Sequence, residues 1–235
     1  MSRIRLIVFV FVSSALALFP PEGPVLRASD PVSRPRGMYA HTKAEAERCA
    51  RALQAGGAPV VIVYPTSVLG PHDPTVGSGP GVMASALRAG RALVTAGGMT
   101  YTDARDLGDL FAALFAAAGP PPRVIATAQF LAHARYFELL AELTGRADLK
   151  AQRIPARVLR ALGHVGDLAQ RLGRSTQLTS ETAAVLTRSV PVDDREARAL
   201  LGRDPIPIEV SLRDTIAWMA ESGVLKARYA GRLHA

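Results

Sequence analysis

The sequence predicts an α/β fold in which a parallel sheet covered by helices is followed by a small, mostly helical C-terminal lobe. Three observations carry this expectation. Apolar runs at 7–12 and 59–64, and the largely apolar stretch 124–128, have the composition of short buried strands, the first two that of strands covered on both faces. An Ala-rich stretch with interspersed charge, residues 38–53, separates the first two runs, which gives the strand, crossover helix, strand order that parallel pairing requires. Beyond about residue 150, helical patterns continue without another strong strand run. The expected division is therefore a sheet-containing body over residues 1–150 and a helical lobe over residues 151–235.

The first element admits two readings. Arg3 and Arg5 followed by an apolar stretch over residues 6–19, with Ala15 and Ala17 spaced like a cleavage site, have the form of a secretory signal. The β-branched and aromatic residues at 7–12 suit a buried parallel strand, and the elements that follow favour the strand; the run is too short to span a membrane. A loop rich in Pro, Gly, Ser and Asp is expected over residues 20–37, then the helix 38–53 stopped by Gly56 and Gly57, then the second strand ended by Pro65. Residues 66–81 read as a loop and residues 82–87 as a short helix, with breaks at Gly90, Gly97 and Gly98. Asp106 is placed to cap a helix running to Ala118 with Leu107, Leu110, Phe111, Leu114 and Phe115 on one side. After the third strand a helix is expected over residues 131–143, closed by Thr144 and Gly145. Lobe helices are expected at 156–172, 180–186, 194–201 and 211–221.

Composition excludes several function classes. The net charge of +8 comes from 28 Lys and Arg against 20 Asp and Glu, but no run of five or six basic residues occurs. That distribution describes a generally positive surface and not a nucleic-acid site. The single Cys49 excludes an internal disulfide and a thiolate cluster, and its place on an Ala-rich helix suggests a small buried thiol. The five histidines are scattered without metal-ligand spacing, so no metal site is expected.

Candidate chemistry centres on Tyr39 and Lys43, four residues apart and hence on one helical face. A phenol with a pKa near ~10 is a poor acid or base at neutral pH, and a neighbouring ammonium favours its ionised form. Ser14, at the end of the first strand, could hold a substrate hydroxyl or carbonyl for proton exchange with Tyr39. A bare Tyr–Lys pair at this spacing arises by chance in roughly six of a hundred chains of this composition. Its setting is more specific: a strand ending in Ser, a helix carrying Tyr and Lys, and a strand ending in Pro place these groups at one edge of a parallel sheet, where α/β folds bind ligands.

Ordered motifs extend the pattern. They are Val8-Phe9-Val10-Phe11-Val12-Ser13-Ser14-Ala15, then Tyr39-Ala40-His41-Thr42-Lys43 with Glu47 one turn on, then Val60-Val61-Ile62-Val63-Tyr64-Pro65-Thr66-Ser67-Val68-Leu69-Gly70-Pro71. Tyr101-Thr102-Asp103-Ala104-Arg105-Asp106-Leu107 and a terminal Leu201-Gly202 before Trp218 follow. On these motifs the chain resembles an extended short-chain dehydrogenase/reductase of the NAD-dependent epimerase/dehydratase type, with dihydroflavonol reductase-like and sugar epimerase-like features. The resemblance implies a partial Rossmann-like parallel sheet, NAD or NADP as cofactor, a small organic or nucleotide-sugar substrate reacting at a hydroxyl or carbonyl, and a cytoplasmic location. It matches Ser14 to the family's serine, Tyr39 to the general acid/base and Lys43 to the ribose-binding lysine. Pro65, Thr66, Ser67 and Val68 would line the nicotinamide end, and His72, with Ser14, would face the substrate. Ser13 is assigned a structural role, and Tyr64 departs from the Arg that commonly precedes this proline.

The resemblance also implies an absence. The family opens with a strand, a glycine-rich GxxGxxG turn and a helix that receives the pyrophosphate, and no GxxGxxG occurs in this sequence. About a hundred residues of the family pattern, holding roughly four strands, are expected to be missing. Impaired cofactor binding is expected, as is an exposed strand edge leading to poor solubility, self-association or pairing with a partner. The alternative functions are a non-catalytic fragment or interaction protein that pairs through this edge, and an exported protein.

Overall fold

The structure is a computed structural model that describes residues 8–35, 37–174, 176, 178–188 and 190–234. The Arg3 and Arg5 flank and Ile7 of the expected first strand lie outside the described residues. In chain order the elements are β1 (Phe9–Val12), a 3-10 turn (Ala15–Leu18), α1 (Met38–Ala55), β2 (Val60–Tyr64), β3 (Ser67–Leu69), α2 (Ser78–Ala89), β4 (Arg91–Val94), β5 (Gly98–Asp103) and α3 (Ala104–Ala116). They continue with β6 (Arg123–Ile125), β7 (Gln129–Ala132), α4 (His133–Thr144), β8 (Lys150–Arg153), α5 (Ala156–Arg171), α6 (Ser180–Arg188), α7 (Arg195–Leu201), α8 (Ile208–Glu221) and α9 (Ala227–Ala230). These elements fall into two compact units, each assembled from separate stretches of chain.

The first unit comprises Met1–Thr66, Arg105–Ala128 and Pro191–Pro205. Its sheet has the order β1-β2-β6, all parallel, with Phe9 opposite Val60 and Ile62 opposite Arg123. β2 is central, and all five of its residues are buried, as a strand covered on both faces requires. Alternation along β2 assigns the two coverings. Val61 and Val63 pack with Leu110 and Leu114 of α3 and Ala197 of α7, whereas the Tyr64 side chain reaches α1. The buried face of α1 carries Ala40, Ala44 and Ala50, so the helix can lie close to the sheet. This is the parallel sheet with helices on both faces that the apolar runs predicted.

The second unit comprises Ser67–Ala104, Gln129–Val190 and Ile206–Ala235. β3 runs parallel to β5, which pairs antiparallel with β7, while β4 and β8 form a separate parallel pair. Its core gathers Leu69, Met83, Leu87, Tyr101, Tyr136, Phe137, Leu140, Leu212 and Ile216. Tyr101 and Tyr136 stack with centroids 5.5 Å apart. The Ser211 hydroxyl of α8 donates to the Asp103 carboxylate at 2.5 Å, joining α8 to the end of β5.

Several expectations are corrected here. The supposed loop 66–81 contains β3, and α2 begins at Ser78 rather than 82. Gly79 and Pro80, within the expected loop, are first-turn residues of α2. Pro suits that position, and a Cβ at Gly79 would run into the Val68 carbonyl. The region of Gly90, Gly97 and Gly98 holds β4 and β5. β5 hides its character because its buried Thr100 and Thr102 look polar in sequence. Leu131 belongs to β7, so α4 starts two residues later than expected, at His133. β8 lies beyond residue 150; its four exposed residues, Lys-Ala-Gln-Arg, carry no apolar signal. Asp106 is not a cap but a buried residue of the first turn of α3, ion-paired to Arg203 at 2.7 Å. Cys49 is exposed, on the solvent side of α1 opposite to its expected burial.

Candidate active site

The carboxyl ends of β1 and β2 bring the first group of candidate residues together. Ladder hydrogen bonds continue past the strands: the Ser13 amide donates to Val63 O at 2.9 Å and the Ala15 amide to Pro65 O at 3.0 Å. Ser14 and Pro65 are thereby fixed side by side on neighbouring strand ends. The Ser14 hydroxyl accepts from the Leu16 amide at 3.2 Å, capping the turn Ala15–Leu18, and α1 packs against that turn. One accepted bond leaves the hydroxyl its proton to donate and a further lone pair. Ser13, assigned a structural role from sequence, is buried, and its hydroxyl has no hydrogen-bond partner among the described residues.

Tyr39 and Lys43 occupy the first two turns of α1, behind the cap residue Gly37. The Lys43 ammonium lies 5.9 Å from the Tyr39 ring centroid, close enough for a cation–π attraction. Tyr39 is 59% exposed and Lys43 is half-buried. Among the described residues Lys43 has no carboxylate partner, and Ser14 makes no hydrogen bond to either residue. A solvent-facing phenol next to an uncompensated ammonium can receive an anionic or hydroxyl-rich ligand.

The same i+4 row continues through Glu47 to Arg51. Successive steps of four residues advance about 40° around a helix, so the row winds from the exposed Tyr39 inward to Glu47, which is fully buried. Glu47 Oε1 accepts from Tyr64 Oη at 2.6 Å and from Arg51 Nε at 2.8 Å. Arg51 Nη2 also donates to Tyr64 Oη at 3.2 Å and to the Asp30 carbonyl at 3.0 Å. Burial first, and then the hydrogen bond to Glu47, hold the Tyr64 phenol well above the ordinary tyrosine range. Sequence reasoning singled out Glu47 and Tyr64 but missed Arg51. The signal was available, since Arg51 stands four residues beyond Glu47 and can supply a guanidinium where the strand carries Tyr.

The remaining candidates belong to the second unit or the link to it. Pro65 and Thr66 close the first unit, and Ser67 and Val68 open β3, paired with Tyr101 and Thr102 of β5. His72 follows in an exposed loop with φ of 65° and meets Trp218 edge-on at 6.3 Å. Asp73 organises that loop by accepting from the amides of Gly77 at 2.6 Å and Thr75 at 3.0 Å. Burial opposes ionisation of its carboxyl, but these hydrogen bonds together outweigh it and hold the group below the usual carboxylate range. No group of residues able to hold a metal occurs among the described residues.

The sequence profile of the NAD dependent epimerase/dehydratase family matches residues 1–126, more than half of the chain. The chain belongs to this family. No curated protein sequence matches significantly. Among solved structures, this epimerase/dehydratase family member is similar to the protein gox2253, with a TM-score of 0.73 and 21% identity over 92% of this chain and 67% of that one. It is also similar to a nucleoside-diphosphate-sugar epimerase from Pseudomonas aeruginosa, with a TM-score of 0.69 and 24% identity over 92% of this chain and 68% of that one. A third is an NAD dependent NDP-hexosamine 5,6-dehydratase involved in tunicamycin biosynthesis, with a TM-score of 0.65 and 21% identity over 89% of this chain and 62% of that one. At these identities the likeness is one of fold: the family member has a Rossmann-like α/β architecture and spans about two thirds of the length of these proteins.

Proposed function

We propose that the chain carries the catalytic residues of an NAD(P)-dependent oxidoreductase or epimerase acting at a hydroxyl or carbonyl carbon. The observation that carries this reading is the Tyr39–Lys43 pair, placed on α1 beside the strand end that holds Ser14. The family is defined by NAD dependence, and two of the similar structures are named for action on nucleoside-diphosphate sugars, which makes such sugars the first substrate class to test.

The nicotinamide end of the cofactor fits the residues present. Lys43, without a carboxylate partner among the described residues, is proposed to hold the ribose hydroxyls, and Pro65, Thr66, Ser67 and Val68 to offer backbone contacts to the carboxamide. The orphaned Ser13 hydroxyl at the same strand end is a further polar group able to accept a ligand. The pyrophosphate has no glycine-rich turn to receive it in this sequence, so binding is expected to be weak. When bound, nicotinamide supplies hydride exchange. Tyr39 Oη gives or takes the proton at the reacting oxygen, and Ser14 Oγ orients that oxygen. His72 is proposed as a substrate contact from its own loop.

Titration of the purified chain with NAD(H) and NADP(H) tests the reading. Saturable binding at roughly millimolar cofactor is expected, weakened about tenfold in Lys43→Met and little changed in Tyr39→Phe. No binding at that concentration overturns the enzymatic reading for this chain. One observation favours a second reading, an interaction protein pairing through β1: among the described residues this strand has a neighbour on one side only, and its Phe9 is 62% exposed.

A further inference from the structure

Helix α5 presents three distinct sectors. Leu159, Gly163 and Gly166 form the buried sector, and α5 packs on α6: a Cβ at Gly163 would run into the Ala183 side chain and the Ser180 backbone of α6, and one at Gly166 into the Leu178 carbonyl of the loop before it. Val158, Leu162, Val165, Leu168 and Leu172 recur at steps of three and four and form a second sector that faces solvent. Val165 is 63% exposed, Leu168 57% and Leu172 73%. Arg157, His164 and Arg171, seven residues apart, border this stripe on one side, and Arg153, Arg160 and Arg174 are exposed nearby. Against these cations residues 151–174 hold one acid, Asp167, which accepts the Ser180 amide at 3.0 Å.

An apolar stripe with a cationic border is complementary to a surface that is apolar within and anionic above. We propose that α5 docks on an anionic lipid bilayer, lying in the interface with its Val and Leu stripe among the acyl chains and its arginines at the headgroups. No described helix is long and apolar enough to cross a membrane, so the contact is peripheral. Charge argues against a second copy as the occupant: two α5 helices paired along the stripe would bring Arg157, His164 and Arg171 of both copies to the same seam, against one acid per copy, Asp167, 3.9 Å from His164. Shape argues against an acidic protein. The stripe is convex and purely aliphatic, without the aromatic anchors or pockets on which protein interfaces concentrate their affinity, and a bilayer needs neither.

Flotation of the full chain with vesicles tests the proposal and separates bound protein from sinking aggregate. Vesicles of phosphatidylcholine alone are compared with vesicles containing about a third phosphatidylserine, at low and high salt. The chain is expected to float with the anionic vesicles about tenfold more than with neutral ones, and less at high salt. Each interfacial cation contributes roughly fivefold, so R157E/R171E should lower binding by tenfold or more, and V165S/L172S by a similar factor, with circular dichroism unchanged. Equal flotation with both vesicle types, or wild-type binding by both variants, overturns it. A dimer in analytical ultracentrifugation that V165S/L172S abolishes, with no flotation, points to a second copy. Capture of an acidic amphipathic peptide without flotation points to a protein partner. Either result overturns the lipid assignment.

Discussion

Glu47 is a buried carboxylate whose charge is met by two donors, and its Oε2 has no partner among the described residues. Loss of one donor therefore falls on a group with nothing in reserve. Tyr64→Phe removes the 2.6 Å bond while keeping the ring, and should cost about 1–3 kcal/mol in urea unfolding. A second residue-scale prediction concerns His133, whose ring nitrogen lies 3.2 Å from the Leu186 carbonyl. Burial, only partly offset by that hydrogen bond, pushes its pKa below the ordinary histidine value. The unfolded chain then takes up the proton at higher pH than the folded one. This stability is fully present above about pH 6.5 and is lost as pH falls through that value toward the lower folded pKa. Melting temperature measured from about pH 7.5 to 5.5 should decline, and the decline should be shallower in His133→Gln.

At the scale of elements, α5 depends on its contact with α6 through glycine. Gly163→Ala would drive a methyl group into the Ala183 side chain and the Ser180 backbone of α6, so the helices must separate, at a cost of about 1–3 kcal/mol. Hydrogen exchange should quicken across α5 and α6 and stay unchanged in β2. The elements also show what made parts of this fold legible. β2 could be read because burial on both faces demands unbroken apolar residues, and α1 because a crossover helix needs a long Ala-rich segment; β1 carries the same apolar run, although its four residues are only partly buried or exposed. β3 with three residues, β5 with its buried threonines and the wholly exposed β8 could not, since backbone pairing and not side-chain pattern defines them. The candidate site divides the same way. Tyr39 and Lys43 lie within one helix, where spacing alone fixes their relation, whereas the contacts of Tyr64 with Glu47 and Arg51 and the Asp106–Arg203 pair join residues that only the fold brings together.

For the molecule as a whole, the +8 charge proved less uninformative than its scatter along the sequence suggested, because folding gathers part of it on one border of α5. The open side of β1 has a separate consequence. An edge strand with Phe9 outward, and no second neighbour among the described residues, is a template for pairing, and concentration-dependent association is expected in sedimentation velocity. Phe9→Lys should shift the distribution toward monomer by placing a charge on the edge; unchanged association would locate the contact elsewhere.

The winding row from Tyr39 to Arg51 ties two kinds of selection to one register. An insertion between Lys43 and Glu47 would turn the phenol and ammonium together by about 100° from the face that Glu47 fixes against Tyr64. The buried carboxylate thus sets the phase in which the open end of α1 presents its tyrosine and lysine, so any change that re-aims the pair is constrained by packing at the other end of the helix.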